Sequence, residues 1–141
     1  MWQKTFQLRL DAWANLRQQI QHDNAETALF KINQWWFQCP WRAYHLHWDD
    51  QETWPDPWEL LSDNLYCDVA RGLGILYTIS LLDRADLTAA ELVLTGEGHN
   101  LVLVNKRKYI LNWDPETIVN TNHDIKIKKH LTQSQVQQKY N

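Results

Sequence analysis

Three residues of this 141-residue chain, Cys67, His99 and Asp114, have the types and the spacing to carry acyl-transfer chemistry. A thiol becomes a nucleophile when its pKa is lowered, and the unpaired N–H groups in the first turn of a helix lower it. Cys67 opens a long apolar stretch, which places it at such a position, and the same N–H groups would contribute to an oxyanion hole. A free cysteine taken alone is more commonly inert packing. His99 and Asp114 are tied together by strand arithmetic. With a hairpin turn centred on Lys106-Arg107, positions 99 and 114 stand directly opposite one another on one face, their Cβ atoms roughly 4.5–5.5 Å apart. At that separation Asp114 reaches an imidazole N–H of His99. The non-catalytic counterpart of the same pattern is a surface His-Asp pair at the open end of a hairpin.

The elements that must hold these residues follow from periodicity. Phe6, Leu10, Trp13, Leu16 and Ile20 predict an amphipathic helix that ends near His22. A second helix is expected from a cap at Asp23 or Asn24, with Ala25, Ala28, Leu29, Ile32, Trp35 and Trp36 on one face and Pro40 beyond its end. Residues 39–55 show no period, and the alternation Tyr44, Leu46, Trp48 fits a strand or an ordered loop. Asp56-Pro57-Trp58-Glu59 combines a capping carboxylate, a first-turn proline and a returning glutamate, predicting a short helix through Leu61. Leu65 to Leu82 is apolar nearly all round, so its helix is central and buried, and Gly72 and Gly74 within it mark close approach of another element. Strands are expected at Glu91–Thr95, His99–Val104 and Tyr109–Trp113. The fold class is α+β: N-terminal helices and a buried cysteine-bearing helix packed on an antiparallel meander. A single domain covers residues 1–118. Residues 119–141 form an extension, either a strand near Asp124–Lys128 plus a short polar helix capped at Thr132-Gln133-Ser134-Gln135, or a tail ordered by a partner.

Charge and composition narrow the classes. The net charge of −3 and the scattered basic residues exclude the electrostatic stripe that nucleic-acid binding needs. No apolar run is long enough to span a bilayer, and residues 1–25 lack a signal-peptide core, so a non-secreted, soluble protein is expected. In that setting Cys39 and Cys67 are read as free thiols. Nine tryptophans, mostly before residue 60, fill a core and leave a few half-exposed rings. His45 and His47 with Asp49 and Asp50 have strand spacing for metal ligands but no further partners, so a surface role is expected and no metal is assigned. His123 and His130 read as surface residues, Cys39 as core. No phosphate loop is present, so no cofactor is expected.

The ordered set Tyr66-Cys67-Asp68-Val69-Ala70, Gly98-His99-Asn100-Leu101-Val102 and Asn112-Trp113-Asp114-Pro115 resembles the transglutaminase-like branch of the papain superfamily over residues 55–118. The resemblance implies Cys67 as nucleophile, His99 as general base and acid, and Asp114 as the group that orients the imidazole. Gln51, Trp54 and Asn64 are the candidates for a second oxyanion donor. The chain departs from the family pattern in having Leu65-Tyr66 where glycine is frequent, Asp68 immediately after the cysteine, and Asn100 where an aromatic is common. A carboxylate beside a thiol raises the thiol pKa.

Two functions follow as expectations. One is cysteine-dependent acyl transfer or amide hydrolysis on a protein or peptide substrate. The other is a catalytically inactive subunit of a protein assembly, because the chain also resembles small accessory proteins of contractile-tailed phages. That implies a place in the tail, baseplate or neck of a virion, or in the host cytoplasm. A third reading is a peptide-binding module using the sheet edge and exposed tryptophans.

Overall fold

The structure is a computed structural model that describes residues 1–43, 45–120 and 125–140, with positions 119 and 120 described in backbone alone. Tyr44, His123 and Asp124, which entered the sequence reading, lie outside the described residues. Helices come first and a sheet follows, an α+β arrangement. Helix α1 (Phe6–Ile20) is capped by Thr5, whose hydroxyl accepts the Leu8 amide, and α2 (Ala25–Trp36) is capped by Asn24. Helix α3 (Pro57–Asp63) begins with the complete reciprocal box between Asp56 and Glu59 that the sequence predicted. Between α2 and α3, the aperiodic stretch holds a 3₁₀ segment, Trp48–Thr53.

The buried helix α4 (Asp68–Leu82) starts later than its apolar pattern suggested. Cys67 is its N-cap, in extended backbone at φ −98° and ψ −177°. The chain is drawn out here because Tyr66 forms a parallel bridge with Trp41, and its carbonyl accepts the Arg42 amide at 2.6 Å. Backbone pairing therefore outcompetes the helix at residues 65–67.

Five strands follow in the spatial order β4-β3-β2-β1-β5, all neighbours antiparallel. They are β1 (Glu91–Thr95), β2 (Asn100–Val104), β3 (Tyr109–Leu111), β4 (Val119–Asn120) and β5 (Ile127–Thr132). The last strand returns to pair with β1 rather than extending the meander, and α5 (Gln133–Gln137) follows it with a second reciprocal box between Thr132 and Gln135. No helix among the described residues is long and apolar enough to cross a membrane.

Alternation gives the sheet two faces. Leu92, Val102, Val104 and Leu111 belong to the main core with Leu73 and Leu76 of α4, while Val93, Leu101, Leu103 and Ile110 form a second cluster with Ile125 and Ile127. On the other side of α4 the tryptophans build much of the core. The indole N–H groups of Trp13 and Trp36 both donate to the Thr78 hydroxyl at 2.9 Å, and that hydroxyl donates back to the Gly74 carbonyl. Trp2, Trp35 and Tyr66 pack around Trp36 with ring centroids 5.0–5.9 Å from it. Trp41, Trp58 and Trp113 remain exposed.

Gly74 is where this arrangement is tightest, since a Cβ there would meet the Trp36 ring at 2.5 Å. Trp36 is fully buried and held by Thr78, so it has no room to retreat. Overpacking costs roughly 1–3 kcal/mol, more than the ~1 kcal/mol of helix propensity that alanine brings. Gly74→Ala should lower the unfolding free energy measured in urea; an unchanged or raised value would contradict this packing.

Candidate functional site

The hairpin register is the predicted one. Val102, Leu103 and Val104 pair with Leu111, Ile110 and Tyr109, the alignment that would continue to His99 opposite Asp114. It does not continue, because Asn112 adopts a left-handed backbone at φ 67° and β3 leaves its partner there. Asparagine is among the few non-glycine residues that take this conformation readily.

Asn112 is held from four directions. Its amide N–H donates to the Asn33 side-chain oxygen at 2.8 Å, and its own side-chain oxygen accepts from Arg71 Nε at 2.6 Å. Its carboxamide nitrogen donates to the carbonyls of Asp68 at 3.0 Å and Asn100 at 2.8 Å. One side chain thus joins the start of α4, the start of β2 and the end of β3. Asn33, fully buried on α2, completes the junction by donating to the Asp114 carbonyl at 2.7 Å.

In the redirected chain the Asp114 carboxylate is engaged locally rather than with the imidazole. It accepts the Glu116 amide at 2.9 Å in a local turn, and among the described residues no hydrogen bond or ion pair joins it to His99. Among the described residues the carboxylate nearest the His99 ring is Glu97, with Nε2 and Oε2 3.8 Å apart, and the ring lies beside Trp113 at 5.5 Å between centroids. His99 is half exposed at the rim and in step with Leu101 and Leu103 of the second cluster. Asn100, in step with Val102 and Val104, faces the α4 side.

Cys67 is 6% exposed and its side chain caps nothing. It lies near Cys39, whose own thiol is pushed up to about 12, mainly by burial; Arg71 opposes that shift and Cys67 adds to it. At neutral pH a thiol so displaced is protonated and unreactive. Burial also lowers the Arg71 pKa. The Arg71 guanidinium stacks 3.8 Å over the Phe37 ring and reaches Asp68 at 3.1 Å. Asp68, Arg71, His99 and Trp113, with Asn100, Leu101 and Asn112, line a cleft of about 260 Å³. Cys67 is not among the residues lining it.

Each oxyanion candidate makes a hydrogen bond, and only Trp54 makes it through its own side-chain donor. Asn64 Oδ1 accepts the Trp2 indole N–H at 2.8 Å, the Trp54 indole donates to the His47 carbonyl at 2.9 Å, and the Gln51 carbonyl accepts Lys139 Nζ at 2.8 Å. Asp49 pairs with Lys129. No group of three His, Cys, Asp or Glu side chains is gathered for a metal among the described residues. Sequence reasoning missed Asn33, Arg71 and Asn112. The available signal was a polar residue, Asn33, between Ile32 and Trp36 on an otherwise apolar helix face. No protein-family model, no curated protein and no solved structure matches the chain.

Asn33→Leu keeps the side-chain volume but leaves the Asn112 N–H and the Asp114 carbonyl without their partner. Each unsatisfied buried group costs about 1–3 kcal/mol, so a loss of about 2–5 kcal/mol is expected in chemical denaturation. A change below about 1 kcal/mol, within the range of an ordinary surface substitution, would show that the junction is not held this way.

Proposed function

We propose that this is a transglutaminase-like protein whose Cys-His-Asp set is catalytically silent, and that its body serves as a subunit of a protein assembly such as a tailed-phage tail, baseplate or neck. The observation that carries this reading is the placement of Asp114, whose carboxylate is bound to the Glu116 amide and makes no bond to His99. A general base lacking its orienting group, together with a buried thiol outside the cleft that the base lines, is poorly arranged for nucleophilic attack. A fold of enzymatic ancestry can persist as a scaffold once its chemistry is lost.

Acyl transfer by Cys67 is the second reading, and one feature favours it. Cys67 occupies the N-cap position of the fifteen-residue α4, where first-turn backbone N–H groups are available to an oxyanion. Activity along this route requires the 112–116 turn to open and Asp114 to meet His99.

Thiol labelling separates the two. With iodoacetamide at neutral pH, the silent reading predicts that Cys39 and Cys67 both label only when the protein is unfolded. It also predicts that Cys67→Ser leaves co-purification with virions or a tail subassembly unchanged. Rapid labelling of native Cys67 that is lost in His99→Ala would overturn it in favour of the enzyme.

A further inference from the structure

We propose that the cleft between the start of α4 and the end of the β2–β3 ladder binds a single neutral polyhydroxylated ring, the size and chemistry of one monosaccharide unit. This site goes beyond the assembly reading and does not depend on the thiol.

Size gives the first constraint. At about 260 Å³ the cleft falls below the roughly 300–1,000 Å³ of pockets that hold drug-sized ligands, which favours one ring over a run of peptide. Charge gives the second. The cleft pairs one guanidinium with one carboxylate, Arg71 with Asp68, so neither an anion nor a cation meets a surplus of opposite charge.

Its polar groups are fixed and of both kinds. Arg71 is clamped by Phe37 beneath it, by Asn112 on Nε and by Asp68 on Nη2, which orients its remaining N–H donors without cost on binding. Asp68 is 54% exposed and hydrogen-bonds Arg71 through Oδ1, while Oδ2 has no hydrogen-bond partner among the described residues. A backbone donor comes from β2. The His99 carbonyl accepts the Thr95 amide, so His99 faces β1 and the alternation turns the backbone of Asn100 toward β3. The Asn100 carbonyl is occupied by the Asn112 carboxamide, and the strand ladder ends at Val102 and Leu111. The Asn100 N–H therefore faces the gap that β3 has left.

A ring of hydroxyls suits this set because each hydroxyl both donates and accepts, whereas a peptide group offers one of each. The wall completes the match. Trp113 is 55% exposed, with the His99 ring 5.5 Å away and tilted by 48°, and an exposed indole of this kind receives the C–H face of a sugar ring.

The test is a titration of the ¹⁵N-labelled full chain with methyl β-D-glucopyranoside, methyl β-D-galactopyranoside and N-acetylglucosamine, followed by ¹H–¹⁵N spectra. At least one sugar should give saturable shifts at the Trp113 indole, the Arg71 Nε–H and the Asn100 amide, with a Kd on the order of 1 mM. Trp113→Ala, at an exposed position, and Asp68→Asn, which replaces an acceptor with a donor, should each weaken binding about tenfold or more. Cys67→Ser should bind as the unaltered chain does. The proposal is overturned if none of the three sugars gives saturable shifts, if the shifts survive in Trp113→Ala, or if N-acetylglycinamide gives them instead. These outcomes bear on the cleft alone, since the silence of the thiol is read by labelling.

Discussion

The structure turns on the backbone of one residue, the left-handed Asn112. Its conformation costs at most about 1–2 kcal/mol, less for asparagine than for most residues, and the hydrogen bonds Asn112 makes with Asn33, Arg71 and two main-chain carbonyls, each contributing about 1 kcal/mol net, more than offset it. Three elements are located by those bonds: α2 through Asn33, α4 through Arg71 and the Asp68 carbonyl, and β2 through the Asn100 carbonyl. The course of Trp113 and Asp114 follows from the same turn. Trp113 is left exposed beside His99, and Asp114 closes on Glu116.

Much of the fold was readable because its signals are local. The capping box at Asp56 and Glu59 and the polar box at Thr132 and Gln135 each depend on residues within four positions of one another. The hairpin register was also readable, since a turn centre and the strand period determine every pairing up to the first irregularity. That irregularity was not readable. Nothing adjacent to Asn112 in sequence announces the reversal; its partners are 79 and 41 positions away in Asn33 and Arg71. The same holds for Cys67, whose apolar surroundings suggest continuous helix while a bridge to distant Trp41 draws the chain out. Local grammar gave the elements, and long-range polar contacts decided how the candidate catalytic residues meet.

The site accordingly separates into two parts that the sequence had presented as one. Cys39 and Cys67 are buried thiols, with Cys67 immediately before α4. A separate open cleft is lined by Arg71, Asp68, His99 and Trp113. Two residues that set the chain apart from the sequence pattern it resembles fall on this division. Asp68 supplies the partner of Arg71, and Asn100 accepts the Trp48 indole at 2.8 Å while its carbonyl anchors Asn112. Residues that fit poorly in a thiol active site are thus well used in a polar cleft.

The Asn112 junction keeps Asp114 from orienting His99. An experimental structure of the unmodified chain tests it through one distance, from the Asp114 carboxylate to the nearer imidazole nitrogen of His99. The account predicts a separation beyond the roughly 2.7–3.2 Å of a hydrogen bond, with the carboxylate on the Glu116 amide. A direct His99–Asp114 hydrogen bond, with Asn112 in ordinary strand conformation, would contradict it.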